Sequence, residues 1–227
     1  MQQLPLGVRI PDRALFASFL SASNQEAVEH AARVANGAAV GVTWLCGPPS
    51  TGKTHLLQAV CAAAGAGRAG YFPLAQLATL GTEVLEGLVS LECVCIDDVD
   101  RVVGQLEWEK ALFAVVRETL EREARLVVTA KSPPALLDWK LPDLGSRFGA
   151  AAIFQLRELD ERERQDALQL RARLRGVELP DETARWLQRR FPRDMRTMCG
   201  LLDTLDEAAL VAQRRLNVPF IRSVMKE

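Results

Sequence analysis

The chain has 227 residues, of which 48% are hydrophobic and 25% charged, and its formal net charge is −1. That balance excludes a disordered chain, because there is enough apolar surface to bury a sizeable core, and it excludes a basic body that holds DNA by phosphate neutralisation alone. No apolar run reaches the ~18 residues that a membrane helix needs, and the N-terminus lacks a charged-then-apolar signal pattern, so a cytoplasmic protein with no membrane partner is expected.

The first twelve residues, with Pro5, Gly7 and Pro11, read as an extended arm. Within it Gln3, Leu4, Leu6 and Val8 combine one amide with apolar side chains, mostly at alternate positions. Such an arm suits a partner groove that takes a few side-chain anchors. The same pattern is also that of a frayed terminus.

Residues 13–157 read as an α/β nucleotide-binding core. Five short apolar runs, 40–46, 69–73, 93–97, 126–130 and 151–156, are separated by helix-length segments at 53–64, 74–80 with 82–88, 106–124 and 141–148. Strands alternating with helices imply βαβ crossovers, and therefore a five-stranded parallel sheet covered on both faces. From 158 to 227 the rhythm becomes helical, with amphipathic stretches at 160–174, 181–191 and 193–216 and a short coda at 219–226. Asp160 with Glu163 three residues on has the form of a capping box, Gly176 closes the first helix, and Pro180 and Pro192 punctuate the joins.

The motif with the clearest chemistry is Gly47-Pro48-Pro49-Ser50-Thr51-Gly52-Lys53-Thr54, which matches G-x-x-x-x-G-K-[ST] between a strand and a helix. Glycines let backbone N–H groups curl around a polyphosphate, and the helix N-terminus adds favourable partial charge. Lys53 is placed to reach the outer phosphates and the Thr54 hydroxyl to hold Mg²⁺. Next comes Val94-Cys95-Ile96-Asp97-Asp98. A carboxylate at the end of a buried strand is costly unless something uses it; Asp97 would hold the magnesium through water, and Asp98 would polarise an attacking water.

Two arginines close segments of interest, Arg147 in Gly145-Ser146-Arg147-Phe148 and Arg196 in Pro192-Arg193-Asp194-Met195-Arg196. A guanidinium is a permanent, planar partner for phosphate oxygens, but pattern alone does not separate these two from solvated surface charges. The five cysteines, Cys46, Cys61, Cys93, Cys95 and Cys199, are odd in number and contain no C-x-x-C pair, which reads as reduced, mostly buried thiols. With only His30 and His55 in the chain, a zinc site has few ligands to draw on.

These residues resemble the DnaA/Hda family of AAA+ proteins. The run Gly52-Lys53-Thr54-His55-Leu56-Leu57 is similar to the P-loop of the DnaA branch, and Phe16 to Phe19 followed by Asn24 resembles the segment that flanks its nucleotide. Residues 141–147, 167–176, 193–197 and 212–220 look like Hda, so the likeness runs over nearly the whole chain. The likeness extends to layout, and on it the helix-turn-helix DNA-binding domain that completes DnaA is expected to be missing after the helical lid. The resemblance implies a site for ADP or ATP with Mg²⁺ in which residues 47–55, Asp97 and Arg196 contact the nucleotide, Arg196 as the sensor 2 arginine. It implies that Arg147 is an arginine finger and that Gln3, Leu4, Leu6 and Val8 dock on the β sliding clamp, with DNA engaged only indirectly through the clamp. It further implies a negative regulator of replication initiation: ADP-bound, tethered to the clamp, and stimulating hydrolysis of DnaA-bound ATP in trans, with a homodimer or oligomer open.

Two positions depart from the family pattern. Ser50 stands where glycine is common in the P-loop, so the loop must either avoid positive φ there or tolerate strain. Lys131 stands where many relatives carry a sensor 1 aspartate, which argues against vigorous self-catalysed hydrolysis; a lysine there could instead contact phosphate and favour a bound diphosphate. The alternative reading is a DnaC-like helicase loader that cycles its own ATP, and a P-loop metabolic kinase is a more distant one.

Overall fold

The computed structural model describes residues 14–192, 194–212 and 216–225. They form two compact units, one made of residues 14–16 and 24–157 and the other of residues 17–23 and 158 onward.

In the first unit a five-stranded sheet has the order β2-β3-β4-β1-β5, from β1 (Gly41–Cys46), β2 (Ala69–Pro73), β3 (Cys93–Asp97), β4 (Arg125–Ala130) and β5 (Ala152–Gln155), and every pair is parallel. The expected α/β fold with a parallel sheet is therefore present. Strands buried on both faces need apolar residues on both, and β1, β3 and β4 show this, with Trp44, Leu45, Ile96, Val127 and Val128 wholly buried.

Alternate residues of β1 serve opposite layers. Trp44 joins Phe148, Leu112, Leu126 and Ile96 in one core with helices α4 (Leu106–Glu121) and α5 (Pro142–Gly149). Thr43 faces the other way and hydrogen-bonds His30 of α1 (Gln25–Ala35) at 3.0 Å. Helix α2 (Lys53–Ala64) lies beside α1, and α3 (Leu74–Leu77) follows β2.

Most element boundaries fall within a few residues of those read from the sequence, and two segments differ. Helix α1 was not anticipated; its buried residues Ala27, Ala31, Val34 and Ala35 have helical spacing, but alanines give a weak apolar signal. The segment 82–88 is not a helix but two short 3₁₀ turns, Thr82–Leu85 and Leu88–Ser90, because Gly81 at φ +92° and Gly87 at φ +78° break the chain on either side of the first.

The second unit holds α6 (Glu161–Leu174), α7 (Asp181–Arg190), α8 (Met195–Ala212) and α9 (Val218–Met225) around a core that includes Leu168, Leu187, Leu202, Leu205 and Phe220. The capping box is formed: Asp160 accepts from the Glu163 N–H and Glu163 accepts from the Asp160 N–H, both at 2.8 Å. All five cysteines are free thiols. Among the described residues no helix is long and apolar enough to cross a membrane.

Candidate functional site

The motif residues meet at the carboxyl ends of β1, β3 and β4, where a parallel sheet presents its loops. Gly47 leaves β1 with its N–H on the Lys131 carbonyl at 3.3 Å, and a Cβ there would lie 2.5 Å from the Leu156 carbonyl oxygen, so only glycine fits. Pro48, Pro49 and Ser50 are exposed, and Thr51 closes the loop by donating its hydroxyl to the Pro48 carbonyl at 3.0 Å. Ser50 sits at φ +64°, so the loop keeps the left-handed turn and bears the strain of a Cβ in it, a cost of about 1–2 kcal/mol.

Gly52, at φ +92°, turns the chain into α2. At this start Gly52, Lys53 and Thr54 have no backbone acceptor for their N–H groups among the described residues, which is the arrangement that receives an anion. The Lys53 ammonium, itself buried, donates to the carbonyls of Gly47 and Pro48, each at 2.7 Å. Burial lowers its pKa, while Asp98, Asp97 and Asp100 pull it back up. Thr54 is half-buried one position further on. His55 turns its Nε2 to the Leu15 carbonyl at 2.9 Å, tying the helix start to the segment before α1.

Opposite the loop, Asp97 ends β3 and is almost wholly buried. Its two oxygens are engaged by two hydroxyls: Tyr71 of β2 donates to Oδ2 at 2.8 Å, and Thr129 of β4 donates to Oδ1. Two of about four acceptor positions are thereby used, leaving the carboxylate able to take water protons. Thr129 also accepts the Asp98 N–H at 2.9 Å, which holds Asp98 in a left-handed conformation at φ +56°. Burial, followed by the neighbouring Asp97 and Asp100 charges, raises the Asp98 pKa above the ordinary carboxylate value.

Lys131 caps β4. Its carbonyl takes the Gly47 N–H, its own N–H meets Asp100 Oδ1 at 3.3 Å, and its half-exposed ammonium lies 3.8 Å from Asp100 Oδ2. The oxygen-rich set of Thr54, Asp97 and Asp98 suits a hard cation. Among the described residues no cluster of three His, Cys, Asp or Glu side chains could hold a metal alone, so a Mg²⁺ here would draw most of its ligands from phosphate and water.

Arg147 lies on α5, half-buried, with its guanidinium carbon 4.8 Å from the centre of the Phe113 ring of α4. Among the described residues no carboxylate pairs with it. Arg196 is the second residue of α8, and its side chain lies outside what the structure describes, as do Gln3, Leu4, Leu6 and Val8.

Sequence reasoning missed Tyr71, Thr129, Asp100 and Phe113. A polar residue inside an apolar strand run was the available signal for Tyr71 and Thr129; for Phe113, which reads as ordinary helix core, there was none.

Residues 160–225 match the family described as Hda, lid domain. The chain as a whole is similar in structure to domain III of the replication initiation protein DnaA from Thermotoga maritima, with a TM-score of 0.77 at 20% identity over 96% of this chain and 98% of that one. It is also similar to AMPPCP-bound DnaA from Aquifex aeolicus, with a TM-score of 0.66 at 20% identity over 86% of this chain and 65% of that one. The Thermotoga maritima Holliday junction branch migration motor RuvB gives 0.63 at 21% identity over 93% of this chain and 72% of that one. At these identities the structural likeness is one of fold, an AAA+ α/β core followed by a helical lid.

Proposed function

We propose that this chain, whose residues 160–225 match the Hda lid domain and whose fold is that of DnaA domain III, acts as a DnaA/Hda-type AAA+ protein: a negative regulator of replication initiation that stimulates hydrolysis of DnaA-bound ATP in trans. Charge accumulates on phosphate oxygens in the transition state of phosphoryl transfer, and a guanidinium supplied by a neighbouring subunit is worth roughly 10³–10⁵ in rate. Arg147 supplies it.

The observation that carries this reading is the state of Arg147 itself: half-buried, laid on the Phe113 ring, and paired with no carboxylate among the described residues. With no acid beside it, the planar fork of a half-buried guanidinium is available to phosphate oxygens.

The P-loop in this account holds ADP. Lys53 exchanges the Gly47 and Pro48 carbonyls for phosphate, the N–H groups of Gly52 to Thr54 bind the same anion, and Thr54 with Asp97 holds Mg²⁺, the latter through water; the sensor 2 role of Arg196 is carried over from the family resemblance. The arm at Gln3, Leu4, Leu6 and Val8 tethers the protein to the β sliding clamp, so that DNA is met only through the clamp. The protein's own ATPase activity is weak, with Lys131 at the tip of β4. The test is DnaA–ATP hydrolysis with this protein, clamp and DNA, each omitted in turn. The reading requires hydrolysis only when all are present; hydrolysis indifferent to this protein removes it.

A further inference from the structure

Glu109 is a carboxylate with no exposed surface, carried on the first turns of α4. Its two oxygens are used by two different segments of backbone. Oε1 accepts the N–H of Gly104 at 2.7 Å, and Oε2 accepts the N–H of Leu141 at 2.6 Å. Gly104 ends the loop that leaves β3 through Asp98, and Leu141 is the residue that opens α5, its carbonyl taking the N–H of Leu144 at 3.0 Å. Short, charge-assisted bonds to backbone donors are the strong kind, and they are what makes a buried charge tolerable. The carboxylate also lies near the starts of two helices, α4 and α5, whose N-terminal partial charge favours an anion.

Four residues after Glu109, one helical turn along the same face of α4, comes Phe113, whose ring carries the Arg147 guanidinium at 4.8 Å. Helix α4 therefore holds α5 at two places, by the N–H of its opening residue and by the side chain of its sixth. A third restraint comes from Trp139, whose ring is so close to α5 that a Cβ on Gly145 would lie 2.6 Å from it.

We propose that Glu109 is a positioning residue for Arg147: its carboxylate staples the start of α5 to α4 and to the loop that follows the acidic pair, and so fixes where the guanidinium is presented. The proposal rests on the trans role given to Arg147 above. A buried glutamate that merely stabilised the core would contribute to melting temperature without governing the Arg147 side chain.

The test is Glu109→Gln in the full chain. Glutamine keeps the length and shape but offers one acceptor oxygen to two N–H donors, so one of the two bonds is lost. In the folded variant the exchange of the freed amide, Gly104 or Leu141, rises by roughly tenfold or more. The Arg147 side-chain N–H resonance loses part of the ring-current shift that Phe113 imposes, and stimulated hydrolysis falls by about tenfold to a hundredfold, while ADP and clamp binding hold. A folded variant with an unchanged Arg147 resonance and unchanged stimulation overturns the proposal. If the variant does not fold, amide exchange in the unaltered protein decides: Gly104 and Leu141 must both be strongly protected, and free exchange at either one defeats it. Should the unaltered protein stimulate no hydrolysis, the trans reading fails, and the resonance and exchange measurements still judge the staple.

Discussion

Tyr71 of β2 donates its hydroxyl to Asp97 Oδ2 of β3 across 2.8 Å, joining an edge strand to the acid at the centre of the site. Burial, then the Asp97 charge, pushes the phenol pKa well up, so the protonated form is the one the fold holds. A group whose pKa is raised in the folded state contributes stability below its unfolded value, about 10 for tyrosine, and loses that contribution as pH climbs past it. Tyr71 is the chain's one tyrosine, so tyrosinate absorbance reports on it alone. The folded protein should develop no such absorbance until it unfolds at alkaline pH. Tyr71→Phe should cost about 1.5–3 kcal/mol near neutrality, the loss of a hydrogen bond to a charged group. Tyrosinate appearing near pH 10 with the fold intact contradicts the bond.

Lys53 donates its ammonium to two loop carbonyls, at 2.7 Å each. Lys53→Ala removes the cation that would turn to the nucleotide, and ADP affinity should drop at least tenfold, about 1.4 kcal/mol. Calorimetry is the measurement. Equal affinity in the variant removes the loop from the account.

Lys131 sits where its ammonium faces Asp100 rather than presenting a carboxylate of its own. Intrinsic ATPase activity of the isolated protein should accordingly be slow. Rapid multiple turnover without DnaA transfers the case to a helicase-loader type of motor.

The arm makes its own prediction. Replacing Gln3, Leu4 and Leu6 by Ala should abolish clamp binding and leave ADP affinity and thermal stability nearly unchanged, since anchors for a partner groove contribute nothing to the core. Native clamp affinity in the triple variant, measured by surface immobilisation, places the tether elsewhere.

Much of this molecule was legible before its structure. The period of the apolar runs announces a parallel sheet, because only strands covered on both faces tolerate runs such as Val94-Cys95-Ile96, and the P-loop marks the end of β1 by its glycines. Illegible were the contacts made by residues that look ordinary in one dimension. Phe113 has the spacing of helix core, and its second role as a platform for Arg147 depends on where α5 lands. Glu109 has the sequence context of a surface helix turn, and its burial follows from two backbone N–H groups 5 and 32 residues away. The Asp97 network joins three strands, so it depends on strand order, which periodicity does not supply. Ser50 is a different case. The sequence posed avoidance or strain as alternatives, and the loop keeps the left-handed turn because Gly47 and Lys53 on either side fix its path.

The central claim is that Arg147 acts on a nucleotide held by another subunit, and its most direct test is hydrolysis of labelled ATP on DnaA with clamp-loaded DNA. Wild type is compared with Arg147→Ala and Arg147→Lys. Because the Phe113 ring is the partner of the guanidinium among the described residues, its removal should cost no more than about 0.5–1 kcal/mol of stability and leave ADP and clamp binding as they were. Stimulated hydrolysis should nevertheless vanish in the alanine variant and recover poorly with lysine, which keeps the charge and loses the planar fork. Full stimulation by Arg147→Ala would contradict the account.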